Sequence, residues 1–154
     1  MTRYLILSGL LGLMLVPDAL AQALSAKQNV SKLIETTDEN GNIVEKRVAA
    51  DSVAPGDRVM YQLDYTHTGR EPASDILLTM AVPPQIKPLF EGLHAGETTR
   101  SFSVDGGQTY QALTTSPEGE APPEFASATH LRWQLVSPIQ PGESGSVSYT
   151  GIVE

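Results

Sequence analysis

Three histidines, His67, His94 and His130, are the side chains of this sequence best suited to hold a metal or move a proton near neutral pH. A metal site needs several ligands converging at bonding distance, and no His-x-His or similar paired spacing is present. The spacing predicts three separate histidines, at a strand end, in a loop and at a strand start. Asp38, Glu39, Asn40 and Asn42 have the composition of a calcium loop, but a Glu is required at its twelfth position and Ala49 stands there. Ser144, in Gly142-Glu143-Ser144-Gly145, lacks the five-residue Gly-x-Ser-x-Gly elbow that activates a serine nucleophile. Paired carboxylates for glycoside hydrolysis are defined by separation in space, which spacing along the chain does not supply. With no cysteine, zinc sites built on thiolates and iron–sulfur clusters are excluded. The sequence assigns no catalytic, cofactor-binding or metal-binding residue, and the expectation is a protein that is not an enzyme.

One motif has a clear mechanical role. Ser103-Val104-Asp105-Gly106-Gly107-Gln108-Thr109-Tyr110 fits the Asp-box pattern Ser-x-Asp-x-Gly-x-Thr-aromatic. In such a hairpin the Asp carboxylate accepts hydrogen bonds from the turn backbone, Gly takes a left-handed position and the aromatic anchors the returning strand. The pattern also occurs in sialidases, remote from the catalytic centre, and a single copy implies structure rather than activity. Tyr61, Tyr65, Tyr110 and Trp133 could stack on sugar rings, but their alternating positions fit core residues better.

The elements that would position these residues are strands. After a flexible lead-in over residues 24–29, residues 30–37 and 43–48 flank Asp38-Glu39-Asn40-Gly41-Asn42, whose Asn-Gly predicts a hairpin turn. Pro55-Gly56 fits the centre of a type II turn, Pro setting φ and Gly taking the positive one. It launches a strand over 57–68 in which Val59, Tyr61, Leu63 and Tyr65 alternate with polar neighbours. In residues 74–82, Ile76, Leu78, Met80 and Val82 share one face, and Leu77 and Ala81 predict partial cover on the other; Pro83-Pro84 ends the run. Residues 85–98, with Pro88, Gly92 and Gly96, read as a loop or short edge strand, and residues 114–128 as a loop that buries Phe125. Leu131, Trp133 and Leu135 point inward from a strand over 130–136, and Pro141-Gly142 launches a closing strand over 144–153. Seven to nine short strands without a convincing helix predict an all-β, antiparallel two-sheet sandwich.

Composition and the N-terminus bear on compartment. Met1-Thr2-Arg3, the apolar run from Tyr4 to Val16 and the small residues of Ala19-Leu20-Ala21 and Ala21-Gln22-Ala23 have the order of a cleaved signal peptide, residues 1–23. The apolar run is shorter than the roughly 20 residues a membrane span needs. The expected organisation is a signal peptide at 1–23, an N-terminal extension with a β-hairpin at 24–51 and the sandwich at 52–154. Acidic residues exceed basic ones by 18 to 10, and no basic run exists, so nucleic acid and anionic membrane surfaces are not expected partners. A disulfide-free exported domain of this size suits a bacterial periplasmic or secreted protein.

With these brackets in place, residues 52–153, about two-thirds of the chain, resemble a family of bacterial cell-surface modules. These are the conserved repeat domains known as domain of unknown function eleven. The residues that carry the resemblance are Pro55-Gly56-Asp57 with Tyr61, the strand end Thr66-His67-Thr68-Gly69, the Ala73 to Val82 strand closing on Pro83, Trp133-Gln134-Leu135, and Pro141-Gly142-Glu143 with Tyr149. The resemblance implies an immunoglobulin-like fold. The chain departs from the family pattern at His67, where Asn is usual, and at Met80, where Asp is usual. Family members often carry such modules in tandem with a wall-sorting tail; a single copy without one favours a small free protein.

The functional expectation is an exported, non-enzymatic structural or protein-interaction module of the bacterial envelope. It would need no cofactor and would contact another envelope protein through an exposed strand edge or loops. The alternative is a carbohydrate- or ligand-binding module using rim loops 85–98 and 114–128.

Overall fold

The computed structural model describes residues 24–116 and 119–154, so the expected signal peptide lies outside the described residues. Among these residues are nine strands: β1 (Leu24–Thr37), β2 (Ile43–Ala49), β3 (Arg58–His67), β4 (Leu77–Ala81), β5 (Ile86–His94), β6 (Thr98–Ser103), β7 (Gln111–Ala112), β8 (His130–Leu135) and β9 (Ser144–Val153). They form two antiparallel sheets, a large one ordered β2-β1-β3-β9-β5 and a small one ordered β4-β8-β6-β7. The protein is an all-β sandwich. No helix of the described residues is long and apolar enough to cross a membrane.

The two Pro-Gly turns that stand far apart in sequence are partners in space. β3 and β9 pair along their length, with Tyr61 opposite Tyr149. In the turn before β3, Gly56 has φ 93° and Asp57 N–H donates to Ala54 O; in the turn before β9, Gly142 has φ 81° and Glu143 N–H donates to Gln140 O. Each acid then closes its own turn: Asp57 accepts from Ala54 N–H at 2.7 Å and Glu143 from Gln140 N–H at 2.8 Å. Each turn also ties to the end of the other strand. Gly56 N–H donates to Val153 O and Val153 N–H to Asp57 O, while Gly142 N–H donates to His67 O and His67 N–H to Glu143 O. The repeated sequence pattern is thus a matched pair of clasps on one central strand pair. Both glycines need the left-handed φ that a side chain disfavours.

The core lies between the sheets. Val59, Val147, Tyr149 and Val153 face Leu78, Met80, Phe102, Leu131 and Trp133 across it. Tyr61, Leu63, Tyr65 and Leu135 pack against this cluster while keeping some exposure, as their alternation predicts. Tyr61 and Tyr149 stack with centroids 4.9 Å apart, and the Tyr149 hydroxyl donates to Ala81 O, linking the two sheets. Burial, with Tyr61 nearby, pushes the Tyr149 hydroxyl well above its ordinary value, so it is a committed donor. Phe125, in a short 3-10 turn (Pro123–Ser127), makes edge-to-face contacts with Phe90 and Phe102 that close one end.

Three local expectations are corrected. Residues 24–29 are no lead-in: β1 starts at Leu24 and pairs with β3 from Leu24–His67 onward. Residues 25–28 are exposed on both faces, and their pairing with β3 rather than burial makes them a strand. Of the two readings of residues 85–98, the edge strand holds and the rim loop does not: β5 occupies Ile86–His94 and pairs with β9 at the sheet edge. Pro88 is tolerated there because β5 is an edge strand, where the missing N–H breaks no ladder. Leu77 and Ala81 have no cover on their face of the small sheet; both are exposed.

Candidate interaction edges

The residues that could do chemistry are held apart. His67 is buried at the end of β3, its Nε2–H donating to Glu71 O at 2.6 Å and its Nδ1 accepting from Gly69 N–H at 3.3 Å. Those bonds let the imidazole organise the 68–71 turn. His94 is exposed at the end of β5, and His130 is half-buried on β8 with Nδ1 3.2 Å from Thr129 Oγ1. Among the described residues no three of His, Asp and Glu are grouped as metal ligands would be. Asp38 accepts from Asn40 N–H, Asn42 N–H and Asn42 Nδ2, bonds that hold its carboxyl below the usual range and use it as a turn brace. Ser144 Oγ lies 2.7 Å from Thr66 Oγ1, a cross-strand hydroxyl pair.

The Asp-box hairpin is built as its sequence predicts. Asp105 accepts from Ser103 Oγ, from the Thr109 side chain and backbone, and from Gln108 N–H. These donors, Ser103 first, drive its carboxyl far below the ordinary value. The Arg132 guanidinium lies 3.4 Å over the Tyr110 ring, so the aromatic anchors the hairpin through a cation–π contact.

No sugar-stacking platform can include Trp133, which is 1 % exposed. Its indole N–H has no acceptor among the described residues, a cost of about 1–3 kcal/mol that the surrounding burial must offset. Tyr149 is equally enclosed. A shallow depression of about 530 Å³ between Pro83–Pro84 and Ala126–His130 is mainly apolar, with Ser127, Thr129, His130 and Glu154 also on its lining.

What remains is the backbone at the sheet edges, where unpaired N–H and C=O groups can accept another strand. β7 is two residues long. β5 carries Pro88 and a register shift between Leu89 and His94, both of which spoil an edge as a template. β4 is five residues long, is followed directly by Val82 and Pro83-Pro84, and has its Ala81 carbonyl already engaged by Tyr149.

β2 is different. It runs seven residues, nearly all exposed, without proline or bulge. With β1 it forms an arm: Ile34–Thr37 pair only with Ile43–Lys46, because the β1–β3 ladder stops at Leu33–Arg58. Of these two strands, Leu24 packs against the clustered core and Leu33, where β1 leaves β3, is buried. One face of the arm carries Val30, Ile34, Val44 and Val48, with Val30 41 % and Val44 39 % exposed. The other carries Glu45 and Arg47, where Glu45 pairs with Arg58 at 2.6 Å and Arg47 donates to Gln62 at 2.9 Å. At its base, Lys32 and Asp57 form an ion pair at 2.6 Å that holds the Asp57 carboxyl below its usual range. Sequence reasoning found the hairpin but not its projection from the sandwich, which depends on where β3 stops pairing.

Compared with known proteins, the chain matches no family model, no curated protein and no solved structure. The resemblance to the conserved repeat domains therefore rests on the turn and core residues alone.

Proposed function

We propose that this protein is an exported, non-enzymatic β-sandwich that acts by protein contact in the periplasm or outside the cell. The single observation in its favour is the β1–β2 arm. Beyond Leu33, where β1 leaves β3, residues 34–37 and 43–46 form a two-stranded ribbon with apolar side chains and a bare backbone edge, outside the clustered core. A ribbon of this kind gains little stability alone. It is well suited to strand addition, in which main-chain hydrogen bonds supply affinity and alternating side chains supply specificity. The apolar order of residues 4–16 and the Ala-x-Ala sites support export, and the resemblance to surface modules supports an envelope setting.

The test compares the protein with a variant in which residues 35–45 are replaced by Asn-Gly, linking Ile34 to Lys46 through a two-residue turn. Both are used as bait for chemically cross-linked envelope proteins. A specific partner, a second copy of this chain included, should be captured by the intact protein and lost with the arm. Equal capture by both forms, or none by either, would overturn the reading. Intact mass should also fall to that of a chain beginning at Gln22 or Leu24; an uncleaved N-terminus would remove the export claim.

A further inference from the structure

We propose that the partner strand at β2 is β2 of a second copy, paired antiparallel about a two-fold axis at Lys46. The proposal rests on the protein-contact reading and names its occupant. The hairpin determines which groups are free. Asp38 N–H donates to Asn42 O, and continuing that alternation turns the backbone groups of Val44, Lys46 and Val48 towards β1. Those of Ile43, Glu45, Arg47 and Ala49 then point to the open edge.

Centring the pair on Lys46 uses all seven residues. It sets Ile43 against Ala49, Val44 against Val48 and Glu45 against Arg47 of the second copy, each twice. The side chains stay on matching faces, so the valines of both copies join on one surface with the two Lys46 between them, and Glu45 and Arg47 join on the other. Glu45 already holds Arg58 on that charged face, and Arg47 of the second copy extends the row to Arg58–Glu45–Arg47. Opposite charges directly across an antiparallel pair are favourable and like charges are not. Moving the centre to Glu45 or Arg47 shortens the overlap and opposes Glu45 to Glu45 or Arg47 to Arg47. The one unfavourable contact in the chosen register is Lys46 against its own counterpart, on an uncovered face where both amines can reach water. Pairing would join the five-stranded sheets of the two copies, each edged by β2, into one continuous sheet. An edge of seven residues falls towards the small end of specific interfaces, below roughly 1,200 Å², so the association is weak and concentration-dependent.

The absence of cysteine makes the test clean. Lys46→Cys places two thiols across a non-hydrogen-bonded pair, where Cα atoms lie about 4.5 Å apart, within the roughly 4.4–6.8 Å that a disulfide accepts. Mild oxidation should give a covalent dimer of twice the mass. Val44→Cys, about 14 Å from its counterpart in this register, should not link, nor should Thr79→Cys on the β4 edge. Arg47→Glu, which sets a second carboxylate directly opposite Glu45 of the other copy, should lower the dimer fraction in sedimentation of the uncrosslinked protein while Trp133 fluorescence stays native. Linking through Val44→Cys would overturn the register. Linking through Thr79→Cys would overturn the edge yet leave the protein-contact reading intact. No linking by Lys46→Cys would overturn the proposal, and capture of a different protein by the intact arm would still uphold the broader reading.

Discussion

At Asp105 a single carboxylate determines whether a turn holds. Its donors are Ser103 Oγ, the Thr109 hydroxyl and N–H, and Gln108 N–H, all of which favour the charged form. The folded pKa therefore lies below the unfolded value of about 3.9. The resulting stability is fully present above that value and is lost as pH falls through the strongly acid range. Asp105→Asn should lower the urea midpoint at pH 7, and the gap from wild type should narrow as pH drops below about 4. A gap that stays constant with pH would mean the charge is irrelevant. Tyr149 permits a second comparison. Tyr149→Phe removes the hydroxyl bond to Ala81 O and should cost about 1 kcal/mol, whereas Tyr149→Ala empties the core and should cost about 3–5 kcal/mol. Denaturant unfolding checks both, and near-equal losses would mean the ring contributes little.

For an element, what matters is where its ends are tied. β3 and β9 are clasped at both ends by Pro-Gly turns, each of which bonds to the last residue of the opposite strand. Gly142→Ala puts a side chain at φ 81° and should cost about 1–2 kcal/mol. Gly56→Ala, at φ 93°, should cost a similar amount at the other clasp. Thermal unfolding measures each loss; a neutral Gly142→Ala would show that the clasp can rearrange. The turns, though not their clasping of one strand pair, were legible in sequence because Pro fixes φ and Gly accepts the left-handed value. β5 was only half legible, since Pro88 and Gly92 fit a loop as well as the edge strand that it proves to be. β1 was read short for a related reason: Ser25, Lys27 and Asn29 look like linker residues unless β3 is known to lie beside them.

Across the whole molecule, the clustered core and the outer ribbon of residues 34–37 and 43–46 are separate parts. The clustered core contains no residue of β1 or β2, so replacing residues 35–45 by Asn-Gly should leave a folded sandwich with buried, blue-shifted Trp133 emission. Loss of cooperative unfolding in that variant would show that the arm is part of the folding unit. The long contacts of this fold, such as Thr66 to Ser144 in one ladder, must wait for the C-terminus to arrive. Slow folding, in the millisecond-to-second range common to such sandwiches, is expected.

By itself, the sequence determined the all-β class, both Pro-Gly turns, the Asp-box hairpin and the inward faces of β3, β4 and β8. It also ruled out thiolate metal centres. Each of these follows from local rules, the period of a strand, the φ of Gly and Pro, or the absence of an element. Only the tertiary structure decided that the two Pro-Gly turns clasp one strand pair, that residues 86–94 are an edge strand rather than a loop, and that residues 34–37 and 43–46 extend past β3. Those depend on which strands become neighbours, and pairing is set by contacts between residues far apart in the chain, where the alternation of a single strand carries no record of its partner.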